Sequence, residues 1–78
     1  MIYVDTPFDG WCHMVADSIE ELHVFADKLG INRQRFQDKP FRPHYDLRPR
    51  TRRKAVELGA KEVQRRELML VLKNNYGR

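Results

Sequence analysis

The sequence predicts a small α/β domain: a sheet of three or four strands, at least partly parallel, packed with about three helices. Three observations predict it. Short β-branched and aromatic runs occur at 2–4, 11–15 and 44–47. A stretch with apolar residues at helical spacing lies between the second and third of these runs. Two further helical stretches, both rich in basic residues, follow the third. Seventy-eight residues suit a single domain spanning 1–78. A chain this short buries only roughly 60% of the surface its unfolded form exposes. Pairing of two copies through the C-terminal helix would supply more.

The elements are expected in this order. Ile2-Tyr3-Val4 is a strand ending at Asp5, and Pro7 and Gly10 mark the loop from Thr6 to Gly10. Trp11 to Val15 is a second strand, with Trp11, His13 and Val15 on one face and Cys12 and Met14 on the other. Asp17 or Ser18 caps the first helix, with Glu20 or Glu21 three residues on. Ile19, Leu22, Phe25, Ala26 and Leu29 give its apolar stripe, and Gly30 follows its end. Ile31 to Pro43 reads as irregular, with a short turn near Asn32, because Pro40 and Pro43 interrupt any long element. His44 to Leu47 is the third strand. Pro49 breaks it, and Thr51 opens a second helix that runs to about Leu58 before Gly59. Ala60 to Val63 is a short strand or an extended turn. The last helix runs from about Arg65 to Asn75 with Leu68, Val71 and Leu72 on one face, widened by Met69 and Leu70. Gly77 and Arg78 are expected to fray.

Charge narrows the class of partner. The net charge is +4 and the pI about 9.6, which suits a polyanion. The distribution is uneven: residues 1–31 hold six acidic side chains against Lys28 alone, and basic residues dominate from Arg33 onward. A single cysteine, Cys12, excludes an internal disulfide and an all-cysteine zinc site within one chain. No apolar run approaches the roughly 20 residues of a membrane span. The N-terminus lacks a signal peptide's basic and apolar regions. No membrane contact and a cytoplasmic setting are therefore expected. Zinc-finger spacing, a phosphate loop and a dinucleotide glycine fingerprint are all missing from the sequence.

The chemistry-bearing residues gather around Pro43-His44-Tyr45-Asp46-Leu47. His44 and Asp46 alternate onto one strand face, where a carboxylate can orient an imidazole for base chemistry or ligand binding. The alternative is a structural hydrogen bond. His13 beside Trp11 can stack on a base or ribose, or can be a half-buried histidine near a core tryptophan. His23 lies at the margin of the first helix's apolar stripe. Cys12 reads as a small buried side chain. If strands one and three are parallel neighbours, Asp5 and Asp46 approach each other and can hold Mg²⁺ or Mn²⁺. Adding His13 or His44 turns this into a mixed site for Zn²⁺ or Mn²⁺. The competing expectation is that both aspartates cap turns. The arginine-rich segment offers Arg48, Arg50 and Arg52 as phosphate ligands near the start of a helix. It can equally be a solvated charged face.

Several pieces in order resemble an uncharacterised family of small bacterial and phage proteins, catalogued as a domain of unknown function. They are Tyr3-Val4-Asp5, Trp11-Cys12-His13, Ala16-Asp17, Glu21-Leu22-His23, Leu29-Gly30, Phe36-Gln37, His44-Tyr45-Asp46, Gly59-Ala60 and Arg66-Glu67. The resemblance implies that Trp11, His13, His23, His44, Tyr45 and Asp46 belong to a family pattern. It implies no activity. Two departures bear on a metal site at Asp5. Thr6 stands where a second acidic residue often follows, and the loop before Trp11 is short.

The expected function is binding of a phosphate-containing ligand, a nucleotide or nucleic acid. His13, His44, Tyr45, Asp46 and Trp11 would form the pocket, and Arg48, Arg50 and Arg52 would hold phosphate. This reading needs no cofactor. One alternative is a metal-dependent phosphodiesterase or nuclease with Asp5, His13, His44 and Asp46 on Mg, Mn or Zn. Another is a protein–protein adaptor without catalysis.

Overall fold

The strand runs and helical stripes assemble into one mixed sheet with helices on both faces. A computed structural model of the chain describes residues 1–77; Arg78, expected to fray, lies outside them. The order is β1 (Ile2–Val4), β2 (Cys12–Ala16), α1 (Ile19–Lys28), a 3-10 turn (Arg33–Arg35), β3 (Gln37–Lys39), β4 (Arg42–Leu47), α2 (Pro49–Glu57), β5 (Lys61–Glu62) and α3 (Arg65–Tyr76). The sheet order is β3-β4-β2-β1-β5. All neighbours are antiparallel except β1 and β5, which are parallel. The α/β class, the three helices and a parallel pair match expectation, and the sheet gains a fifth strand.

Strands one and three of the sequence reading are not neighbours. β2 lies between β1 and β4, so β1 finds its parallel partner in β5 instead. β3 forms within the stretch read as irregular. Gln37–Lys39 has little strand propensity and forms by pairing with β4. β4 itself starts two residues before His44 and runs through Pro43. The proline is tolerated because the β2 ladder covers only Tyr45 to Leu47, leaving Pro43 without a β2 partner.

The helix ends follow local rules. The Ser18 hydroxyl caps α1 by accepting from the Glu21 amide at 3.1 Å. Gly30, at φ +75°, reverses the chain, and the Ile31 amide returns to the Ala26 carbonyl at 3.0 Å. α2 begins earlier than Thr51. Pro49 occupies its first turn, where a missing N–H costs nothing, and Arg48 is its N-cap.

Alternation along β2 and β4 divides the core in two. Cys12, Met14, Ala16, Tyr45 and Leu47 pack with Leu22, Phe25 and Ala26 of α1 and Ala55 of α2. On the opposite face Val15 packs with Val63, Leu68 and Leu72. The Tyr76 hydroxyl donates to the Ala16 carbonyl at 2.6 Å and ties the end of α3 down. Met69 and Leu70 remain exposed. No helix among the described residues is long and apolar enough to cross a membrane.

Cys12 is on the buried α1 face, and burial pushes its thiol up to about 11. A free thiol titrates near about 8.5. Iodoacetamide at pH 8 is therefore expected to leave Cys12 unmodified in the folded protein and to alkylate it fully in 6 M guanidinium, as read by intact mass. Equal labelling rates in the two states would contradict this packing.

Candidate functional site

Three side chains on the α3 face of the sheet converge. His13 of β2 and Asp46 of β4 are direct cross-strand partners. His44 precedes Asp46 by two residues and shares its face. One ligand atom from each of His13, His44 and Asp46 lies within 4.8 Å of the other two. The two imidazole rings meet edge to face with centroids 5.3 Å apart.

Their ring nitrogens are assigned by their partners. Asp5 follows β1, is 1% exposed, and lies opposite His13. Its Oδ1 accepts from the His13 amide at 2.7 Å, and its Oδ2 accepts from His13 Nδ1 at 2.9 Å. A carboxylate can only accept, so Nδ1 carries the proton and Nε2 is left to bind. His44 repeats the pattern with a different acceptor: its Nδ1 donates to the Arg42 carbonyl at 2.7 Å. His44 Nε2 then faces Asp46 Oδ1 at 3.5 Å. A neutral imidazole presents a lone pair there to a carboxylate oxygen. Two acceptors face each other, and a proton or a cation between them relieves the repulsion. This donor set, two imidazole nitrogens and one carboxylate, is a three-ligand set for a transition-metal dication.

A pocket of about 340 Å³ opens beside the cluster, between the sheet and α3. Its walls are His13, His44, Arg42 and Arg65, and Val15, Leu68, Met69 and Leu72 give it an apolar floor. Neither guanidinium has an ion-pair partner among the described residues. Arg42 and Arg65 were not among the phosphate candidates singled out in the sequence. The period-two count that joins His44 to Asp46 also reaches Arg42. Arg65 comes from α3, and only the tertiary packing brings it here.

The other predicted residues lie elsewhere. Tyr45 does not line the pocket. It points to the α1 face and is 0% exposed, with its hydroxyl 2.8 Å from His23 Nδ1 and its ring against Phe36. Burial raises its phenol above the ordinary range. Both Asp5 oxygens accept from His13, so Asp5 stands behind the converged cluster rather than in it, and neither oxygen caps a turn. Trp11 precedes β2 and stacks under Arg48, whose guanidinium carbon is 4.0 Å from the ring centroid. Arg52 is structural: Nε donates to the Asp5 carbonyl at 2.7 Å and Nη1 to Glu62 Oε1 at 3.0 Å. Arg50 is exposed on α2. Neither Arg50 nor Arg52 lines the pocket.

The Asp5–His13 pair carries an immediate prediction. In Asp5→Asn the new amide can accept only one of the two hydrogen bonds. Urea unfolding is expected to show a loss of about 1–3 kcal/mol. An unchanged midpoint would mean that the pair contributes nothing to the fold.

The family model of a protein of unknown function, DUF4031, matches residues 2–75. No curated protein and no solved structure matches the chain. The match runs from β1 into the last turn of α3 and takes in every residue of the converged cluster. The chain belongs to the DUF4031 family.

Proposed function

We propose that the protein holds a divalent transition-metal ion on His13, His44 and Asp46, and that the ion acts with Arg42 and Arg65 to bind a phosphate-containing ligand, a nucleotide or nucleic acid. The convergence of three ligand atoms within 4.8 Å carries this reading. Asp5 supports it, since metal-binding histidines characteristically donate their second nitrogen to a carboxylate or carbonyl. Both imidazoles do so here. Mixed nitrogen and oxygen donors favour Zn²⁺ or Mn²⁺ over Mg²⁺, which prefers oxygen and water.

The division of labour follows from position. His13 and His44 supply neutral donors and Asp46 supplies one negative charge. A bound dication would be balanced by Asp46 and by the Asp5 carboxylate behind His13, and Arg42 and Arg65 would make the surrounding field positive. A phosphate group entering the pocket meets both guanidiniums, which suit its planar, bidentate recognition. Three protein ligands also leave coordination positions open, and that favours metal-assisted phosphodiester hydrolysis as a second reading. Such an ion, held by His13, His44 and Asp46, would lower the pKa of bound water and polarise a phosphoryl oxygen.

Calorimetric titration of metal-stripped protein with Zn²⁺ and Mn²⁺ tests the proposal. One ion per chain is expected. His13→Ala and His44→Ala should abolish binding, Asp5→Asn should weaken it about 10–100-fold, and His23→Gln on the other face should leave it unchanged. Wild-type affinity in both alanine variants would overturn the site. Turnover of a chromogenic phosphodiester with Mn²⁺, lost in His44→Ala, would establish hydrolysis. Metal binding without turnover would restrict the function to binding.

A further inference from the structure

The strand that carries two of the three ligands also carries positive charge on either side of them. β4 and its continuation read Arg42-Pro43-His44-Tyr45-Asp46-Leu47-Arg48. Pro43, Tyr45 and Leu47 are buried, so alternation presents Arg42, His44 and Asp46 to the α3 face. Arg48 keeps an extended backbone, at φ −76° and ψ 160°, and continues the same alternation. Its guanidinium is held over Trp11, a residue that is 38% exposed. On the other side of the cluster, Lys39 of β3 is the direct partner of Arg42, and Arg65 enters from α3. None of these four cations has a carboxylate partner among the described residues, whereas Arg52 and Lys61 on the far edge are paired.

From Arg42 to Arg48 the extended backbone covers about 20 Å. One mononucleotide cannot engage both ends of such a track and the metal cluster between them. A chain of phosphates can. His44 is recessed, at 14% exposed, while His13 and Asp46 are more open, at 33% and 39%, so a group that reaches the His44 nitrogen has to bend inward. A flexible single strand does this more readily than a stiff duplex. The apolar pocket floor of Val15, Leu68, Met69 and Leu72 suits a base better than a bare phosphate.

We propose that the ligand is a single strand of nucleic acid lying along β4, with successive phosphates at Lys39, Arg42 and Arg65, at the His13–His44–Asp46 cluster, and at Arg48. This deepens the reading given under Proposed function and rests on it for the central phosphate alone. The flanking contacts are those of the protein itself.

Fluorescence anisotropy with labelled oligothymidylates of three, six and nine nucleotides tests it, with and without Zn²⁺ and across a salt series. Affinity should rise with length, and the nonamer should bind at least about tenfold tighter than thymidine monophosphate competes. Removing one phosphate contact in Arg42→Gln, Arg48→Gln or Arg65→Gln should flatten the log–log salt slope by about 0.7. Circular dichroism confirms that each variant stays folded. Equal competition by thymidine monophosphate, by tripolyphosphate or by a matched duplex would overturn the proposal, as would unchanged slopes in all three variants. Metal binding without length dependence sinks the strand alone. Length and salt dependence in a wild-type protein that calorimetry shows to take up no Zn²⁺ or Mn²⁺ sink the metal reading and leave the strand standing.

Discussion

The bond between Asp5 and His13 is the constraint on which the open face depends. A carboxylate 1% exposed is costly unless its lone pairs are met. Here the imidazole and the amide of a single residue meet both oxygens. The arrangement fixes the His13 ring in place and dictates which nitrogen it turns toward β4. Arg52 extends the chain of contacts by binding the Asp5 carbonyl and Glu62. Helix α2, strand β1, strand β2 and strand β5 are thus tied at one residue. A loss of the carboxylate would be felt both in the fold and in the direction of one imidazole lone pair.

Period-two alternation then sorts the chemistry. Each residue of β4 is sent to one of two environments that differ in polarity. Tyr45 and Leu47 complete the larger apolar core beneath α1 and α2, where His23 satisfies the phenol. Arg42, His44 and Asp46 face the side that α3 covers only in part. Helix α3 buries Leu68 and Leu72 against Val15 and leaves a cleft over the polar row. The sheet is therefore a partition: one side supplies stability, and the other gathers nitrogen and oxygen donors under a thin apolar cover. A 78-residue chain buries a small core, and its site lies in a surface cleft beside α3.

Much of this was legible from local signals. The α1 helix was, because Ser18, the apolar stripe and Gly30 all act within a few residues of one another. The shared face of His44 and Asp46 was, because alternation needs no tertiary knowledge. The role of Asp5 was not. It depends on the register that sets β1 beside β2 with Asp5 opposite His13, and no local pattern encodes that pairing. Strand order is hidden from local patterns in the same way: Asp5 and Asp46 do not adjoin, because His13 stands between them. Tyr45 was assigned to the polar cluster by proximity in sequence, although its own period places it in the core. Strand β3 escaped notice because its residues, Gln37 to Lys39, are poor strand formers held by a partner. Arg65 was invisible for a similar reason: α2 and β5 separate it from Asp46 along the chain, and only the packing of α3 brings it to the sheet.

The central claim is that two imidazoles keep their Nδ1 protons on oxygen acceptors and turn Nε2 toward a common ion. Long-range ¹H–¹⁵N correlation spectra of the histidine side chains test it most directly. Addition of Zn²⁺ should shift the Nε2 resonances of His13 and His44 together, keep both Nδ1 sites protonated, and leave His23 unmoved. A proton on His13 Nε2, or a Zn²⁺ response confined to His23, would contradict the account.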